Sequence, residues 1–373
     1  MKNLYLSHKK NKRYKVNNLG LHCHCGETKE HLLELLQRAK NENVGVLIIN
    51  NHKSLRIYSE ILPKLSKQEV EPYKNMKLVP SVELSASFNY TNNEGHNYNI
   101  EVHILGYGVD IEKEKLLQEF CSRNYRFINQ EEELARLIKI GHEIGLNFDE
   151  KDAYLDLNDD NRKYAGRAFM QAVMMNMDDN FCQEGETSKD KLPFELRTNW
   201  RAFQTKCVQG INSPFYLDVA SLNPNVNDVI DLIHSMGGKA YLAHPAAYFP
   251  DIRTSQDIAE VIKFAEEFIA KYSPKNNQET HIDGLEVYHP SYLGNIEVIS
   301  EMKELVKLHR IGSSGGTDIH VDKSLGDNES VSGDGLRGNI TKNKLRRYRN
   351  LRRKAIKINA LREKVIAMSG IEK

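Results

Sequence analysis

Apolar and polar positions along the chain follow a helical rhythm in some stretches and a strand-like one in others. LLELLQRAK sets Leu32, Leu35, Leu36 and Ala39 on one helical face, with Asn43 and Gly45 where that helix should stop. VGVLII follows, a continuous apolar run of the kind that forms a strand buried on both faces. KLVPSVEL and IEVHILGYG read as further strands. Residues 226–236 read as a helix stopped by Gly237 and Gly238, and KAYLA as the next strand. A helix over 258–272, a strand GLEVY, a helix over 295–308 and a strand IGSSGG complete the series. Alternation of this kind predicts an α/β fold on a parallel sheet or a (β/α) barrel.

Two stretches break the rhythm. Residues 112–210 are polar, lack a good buried strand and show helical spacing over 118–144 and 167–177. They read as a helical insertion between a first barrel part, 17–111, and a second, 211–336. In 337–373, Leu345, Tyr348, Leu351, Ala355, Ile358 and Val365 recur every three or four residues among many bases, predicting a basic amphipathic helical tail.

Composition narrows the class. With 40% hydrophobic and 28% charged residues over 373 positions, the chain can build a core, which excludes wholesale disorder. No run of eighteen apolar residues occurs, so no membrane partner is expected. The opening MKNLYLSHKKNKRYK does not read as a secretory signal. Five cysteines, an odd number, argue against a disulfide framework, and together these point to the cytoplasm. Residues 337–373 carry thirteen Lys/Arg against two Glu, and 1–16 is a second basic segment, leaving the middle net acidic. Basic ends suit polyanions such as nucleic acid, with a solvated surface or terminal helix, or a packing arm against another subunit, as the plainer reading.

The chemistry concentrates where strands end. In HCHC, residues two apart share a side of an extended chain, so His22 and His24 face one way and Cys23 and Cys25 pack behind. His52 follows VGVLIINN, Glu83 closes LVPSVE, His103 lies in IEVHILGYG, His244 follows KAYLA, and Asp318 and His320 sit in GGTDIH. In parallel α/β architectures these ends converge on one face. Imidazoles and carboxylates meeting there suit Mn²⁺, Zn²⁺ or Fe. A structural zinc site using Cys23 and Cys25 would need a second cysteine pair, which Cys121, Cys182 and Cys207 do not form.

The ordered motifs HCH, NNH, VHILGYG, YLAHP, GLEVYHP and GGTDIH resemble those of the PHP (polymerase and histidinol phosphatase) superfamily. Among its branches they are most similar to stand-alone bacterial enzymes that hydrolyse nucleotide phosphates and short RNA ends. The resemblance runs from about residue 17 to 325. It implies a distorted (β/α)7 barrel with a helical insertion, and two or three divalent metal ions at the strand C-termini. It implies a first ion on His22, His24, Glu83 and Asp318, with Glu83 bridging to a second on His103 and His244. A third would use His52 and His320, with Glu27 standing in for the family's Asp after the HxH pair. GRAFMQAVM resembles the stretch where an Arg contacts substrate phosphate, which points to Arg167. Arg123 and Tyr288 are further candidates for substrate contact, and His289 for general acid.

The expected function is hydrolysis of phosphate esters of nucleotides or of short RNA or DNA. A PHP-scaffold nucleic-acid binder with little catalysis is the alternative. A metal-dependent hydrolase of C–N bonds, which would ask a strand-end lysine such as Lys53 to bridge, ranks third.

Overall fold

The computed structural model describes residues 18–42, 44–93, 95, 97–157, 164–186, 188–208, 213–249, 255–276, 279–289, 295–316, 318–320 and 354–369. Two compact units result, one formed by 1–124 with 223–373, the other by Tyr125–Leu222.

In the first unit the strands are β1 (Asn18–His24), β2 (Val44–Ile49), β3 (Lys77–Thr91), β4 (Asn97–Tyr107), β5 (Lys239–Leu242), β6 (Gly284–Tyr288), β7 (Gly312–Gly315), β8 (Ile319–His320) and β9 (Ile356–Lys357). They form one sheet ordered β7-β6-β5-β4-β3-β2-β1-β8, with β9 beside β3. The margins of this sheet are β7 and β8, yet only residues 316–318 separate them along the chain. Three residues span roughly 10 Å, so the sheet must curl until its margins approach, a barrel-like α/β fold. The sheet thus holds nine strands among the described residues rather than seven, and it is not wholly parallel. β4 runs antiparallel to both β3 and β5. Only 92–96 connect β3 to β4, too short for a crossover helix, and a short connection permits only a hairpin.

β3 shows how one strand serves two environments. Val82, Leu84, Ala86, Phe88 and Tyr90 are buried in the main core, while Val79 lies in a small second cluster with Ile48, Leu105, Tyr107 and Ala243. By period two, Ser81, Glu83 and Ser85 share the face of Val79. The barrel interior is therefore apolar at one level and polar further along β3. Helices supply the outer layer. Thr28 caps Lys29–Asn41 by accepting the His31 N–H at 3.2 Å, and Leu32, Leu35, Leu36 and Ala39 are its buried face. Asn225 and Asn295 cap Val226–Ser235 and Ile296–Leu308 in the same way.

Asp283 fastens β5 to β6. Its carboxylate accepts from Lys239 Nζ at 2.5 Å, His234 Nε2 at 2.9 Å and the Ala240 N–H at 2.9 Å. Burial pushes this carboxyl up, but those three donors outweigh it and hold it below the ordinary value. A depressed carboxyl contributes stability above the unfolded value of about 3.9 and loses it as pH falls through the folded one. Asp283→Asn is expected to cost about 2–3 kcal/mol at pH 7. In urea unfolding the gap between variant and wild type should close below about pH 4; a gap independent of pH would contradict this role.

The helical unit spans Tyr125–Leu222. Glu114–Asn124 stays with the barrel because Leu117 is buried in its core, whereas Phe215 belongs to the helical unit's core. The helix expected over 118–144 is two, Glu114–Asn124 and Gln130–Glu143, since Asn129 caps the second by accepting the Glu131 N–H at 2.9 Å. Within the helical unit Phe169 packs against Phe148, Phe203 and Phe215, each at 5.4 Å between ring centroids.

The expected tail docks where it is described. β9 pairs with Lys77 and Leu78, and Ile358, Leu361 and Val365 of Ile358–Ser369 enter the main core. Lys354 donates to the Gly108 and Gly237 carbonyls, Arg362 to the Leu65 carbonyl, and Lys364 faces Glu112 at 2.8 Å. This stretch is a packing arm of its own chain. The N-terminal basic segment and the basic run before residue 354 lie outside the described residues. No helix among the described residues is long and apolar enough to cross a membrane.

Candidate metal centre

Three strands, the turn after β5 and the chain just before β8 aim donors into the polar end of the barrel. β1 brings His22 and His24, while Cys23 and Cys25 are buried in the core behind. Cys23 Sγ donates to the Ile48 carbonyl at 2.9 Å, a packing role that removes the structural-zinc reading. Glu83 lies in the middle of β3 rather than at its end, and His103 in the middle of β4. Opposite His103 stands Ser85, so His103 and Glu83 are diagonal neighbours on one face. His244 follows β5, and Asp318 lies just before β8.

Glu83 joins two donor groups. Its Oε2 lies 3.0 Å from His24 Nε2 and 3.3 Å from His22 Nε2, and Asp318 Oδ1 lies 3.1 and 3.6 Å from the same two nitrogens. Its Oε1 lies 2.8 Å from His103 Nδ1 and 3.4 Å from His244 Nε2. Donors bound to one ion at about 2.0–2.2 Å stand roughly 3–3.6 Å from one another. The His22–His24–Glu83–Asp318 and Glu83–His103–His244 groups have that spacing and that mixture of nitrogen and oxygen. Nδ1 of His244 is buried and has no hydrogen-bond partner among the described residues. These residues fit divalent metal ions.

Two further carboxylates, which the sequence reading passed over, orient the rings. Both oxygens of Glu286 lie by His22 Nδ1, at 3.1 and 3.2 Å, and Oε2 accepts the His244 N–H at 2.8 Å. Glu101 Oε1 lies 3.4 Å from His103 Nε2. A carboxylate on the far nitrogen fixes the ring and raises its basicity as a ligand. The available signals were an acid inside the apolar strand GLEVY, and an acid two places from His103 on the same face.

Charge balance follows from burial. Burial would push Glu83 up, but His22 and His103 outweigh it and hold its carboxyl well below the usual range. Burial works to lower His22 and His103, and the surrounding carboxylates reverse this, taking His103 to about 10. Protons and dications therefore compete for the same donors.

Backbone strain gathers at the same place. Among the described residues, five other than glycine have positive φ: His22 (48°), Lys53 (56°), His244 (20°), Asp318 (49°) and Arg310 (55°). Three belong to the donor groups and Lys53 follows His52. A register shift between Gly20 and Cys23 accompanies the His22 distortion. Such bulges re-aim a side chain at a cost of about 1–3 kcal/mol per strained residue.

The other expected site residues divide. His52 stacks on His24 at 4.5 Å between centroids and lies 3.4 Å from Glu83 Oε2, yet joins neither donor group and is half exposed. Glu27 joins neither donor group; it accepts from Ser54 Oγ and faces Arg56 at 2.8 Å. The His320 side chain lies outside the described residues, and no third donor group assembles at the centre among them. His289 lies 3.9 Å from Asp318 and beside His244. Burial lowers its pKa to about 4, which favours the neutral ring. Tyr288 does not line the interior. A register shift between Glu286 and Tyr288 turns it into the main core, under Lys303. Arg123 is exposed and faces Glu119 at 3.9 Å, a solvated helix pair. Arg167 belongs to the helical unit, its guanidinium 5.9 Å from the Trp200 ring.

No family model and no curated protein matches the sequence. Among solved structures, an amidohydrolase from Chromobacterium violaceum, with bound sulfate and no metal, aligns over 91% of this chain and 98% of its own. The TM-score is 0.51 and the sequence identity 17%. At that identity the likeness is one of fold, shared with a hydrolase along nearly the whole chain.

Proposed function

We propose that the chain is a metal-dependent phosphoesterase of the PHP type, acting on nucleotides or short oligonucleotides through two divalent ions. The observation that carries this reading is Glu83, whose two oxygens face two different sets of imidazoles. One ion would be held by His22, His24, Glu83 and Asp318, the other by Glu83, His103 and His244. Ions so placed supply Lewis-acid stabilisation of charge on a phosphoryl group and make water nucleophilic near neutral pH. The chain's own part is positional. Glu83 and Asp318 contribute limited negative charge, and neutral imidazoles add none, so net positive charge is left for an anionic ester. Glu286 and Glu101 keep the ligand rings turned to the centre. His289, buried beside Asp318, is placed to hydrogen-bond a bound ester. The ordered PHP-like motifs support the choice of phosphate esters.

The fold neighbour is named an amidohydrolase, which favours C–N hydrolysis as the second reading. Against it, the group shared by the two donor sets is a glutamate, not a lysine. A panel of nucleoside 3′,5′-bisphosphates, 5′-phosphorylated short RNAs, histidinol phosphate, p-nitrophenyl phosphate and simple cyclic amides separates the two. With Mn²⁺, Zn²⁺ or Fe²⁺ the esters should release phosphate or mononucleotide, and EDTA should stop the release. Amide turnover without ester turnover would overturn the proposal.

A further inference from the structure

We propose that the Tyr125–Leu222 unit carries a base-stacking platform for single-stranded nucleic acid, formed by Tyr164 and Trp200 with Arg167 and Arg201. The unit has a filled aromatic core of its own in Phe148, Phe169, Phe203 and Phe215. Trp200 packs against the edge of this core, and Tyr164 lies beside Trp200 outside it. Tyr164, just before the helix Ala165–Met174, is 59% exposed, and Trp200 is only partly buried. Their rings are nearly parallel, with centroids 6.1 Å apart and planes 20° from one another. Arg167 and Arg201 bring their guanidinium carbons to 5.9 and 5.8 Å from the Trp200 ring.

Local packing makes the grouping a built feature. Trp200 opens a helical turn capped by Asn199, whose side chain accepts the Arg201 and Ala202 N–H groups. Gly166 lies close to Gln204, 2.7 Å from its Oε1 if a Cβ were added, so the Tyr164 segment runs beside the chain that follows Trp200. An exposed tyrosine ring, a partly exposed indole and two planar cations beside it suit a ligand that is flat, aromatic and anionic. A nucleobase with its phosphates is that ligand: bases stack on aromatic rings without regard to sequence, while guanidinium groups take the backbone charge. The ligand class deepens the nucleotide reading above and rests on it, but the platform is tested without turnover.

Trp200 is the chain's single tryptophan, so its fluorescence reports on this place alone. The full chain, in EDTA, is titrated with ten-nucleotide oligoadenylate, its DNA counterpart, an abasic phosphodiester chain of equal charge and a phosphopeptide. Saturable quenching by RNA, or by RNA and DNA alike, is expected, with much weaker response to the abasic chain. Tyr164→Ala and Arg201→Gln should each weaken binding about fivefold or more, while Tyr164→Phe keeps it. Circular dichroism shows that each variant is folded; should Tyr164→Ala unfold, Arg201→Gln and Tyr164→Phe decide. No quenching at millimolar oligonucleotide, equal quenching by the abasic chain, or quenching by the phosphopeptide alone would overturn the platform. Because EDTA removes turnover, a failure here is separate from failure of the metal-centre reading.

Discussion

Glu83→Gln is expected to abolish metal-dependent phosphate release, by at least about a thousandfold in kcat, or roughly 4 kcal/mol of transition-state stabilisation. The substitution keeps the shape and changes the charge. One amide oxygen cannot serve both His22–His24–Asp318 and His103–His244, which now face different oxygens of one carboxylate. It also leaves several buried imidazoles without the anion that balances them. Asp318→Asn should lose less, because Asp318 is partly exposed and belongs to one donor group only. Ester hydrolysis at wild-type rate by Glu83→Gln would remove the carboxylate from the mechanism.

Gly316→Ala should have the second-largest effect, although it adds only a methyl group. A Cβ there would overlap Oε1 of Glu286 and Cβ of His22. Gly316 lies where β7 leaves the sheet margin, with its N–H donated to the Tyr288 carbonyl at 2.9 Å. The chain can turn from β7 toward β8 across the mouth of the centre only because nothing projects from this residue. The methyl group must push His22 and its orienting carboxylate aside. Losing a partner of that kind typically costs 10–100-fold in metal affinity, and overpacking adds about 1–3 kcal/mol of instability. Isothermal titration with Mn²⁺, alongside thermal unfolding of the metal-free chain, measures both. Unchanged affinity would mean that His22 does not need its present position.

Much of the centre could be read from residue spacing, and the reasons are particular. HxH on a strand predicts both imidazoles on one side, so His22 and His24 were legible from four letters, but not the bulge that re-aims His22. His103 and Glu83 were legible as residues from spacing, and as neighbours only through the family resemblance. Their contact depends on an antiparallel hairpin, whereas the alternation of strands and helices suggested parallel strands throughout. Tyr288 was misplaced because one register shift moves a side chain to the opposite face, and nothing in GLEVY announces it. Glu27 looked suitable by position alone, and Arg56, twenty-nine residues on, claims it instead. Glu286 and Glu101 escaped because they touch the imidazoles from behind, where only an acid among apolar strand residues hints at them. The helix over 358–369 was legible as amphipathic, but not that its apolar stripe completes this chain's own core.

The most direct test of the central claim is anomalous diffraction from Mn²⁺-soaked crystals at the manganese edge. The account predicts two peaks on either side of the Glu83 carboxylate, about 3.5–4 Å apart, one among His22, His24 and Asp318 and the other between His103 and His244. A single peak, or none in contact with Glu83, would contradict it.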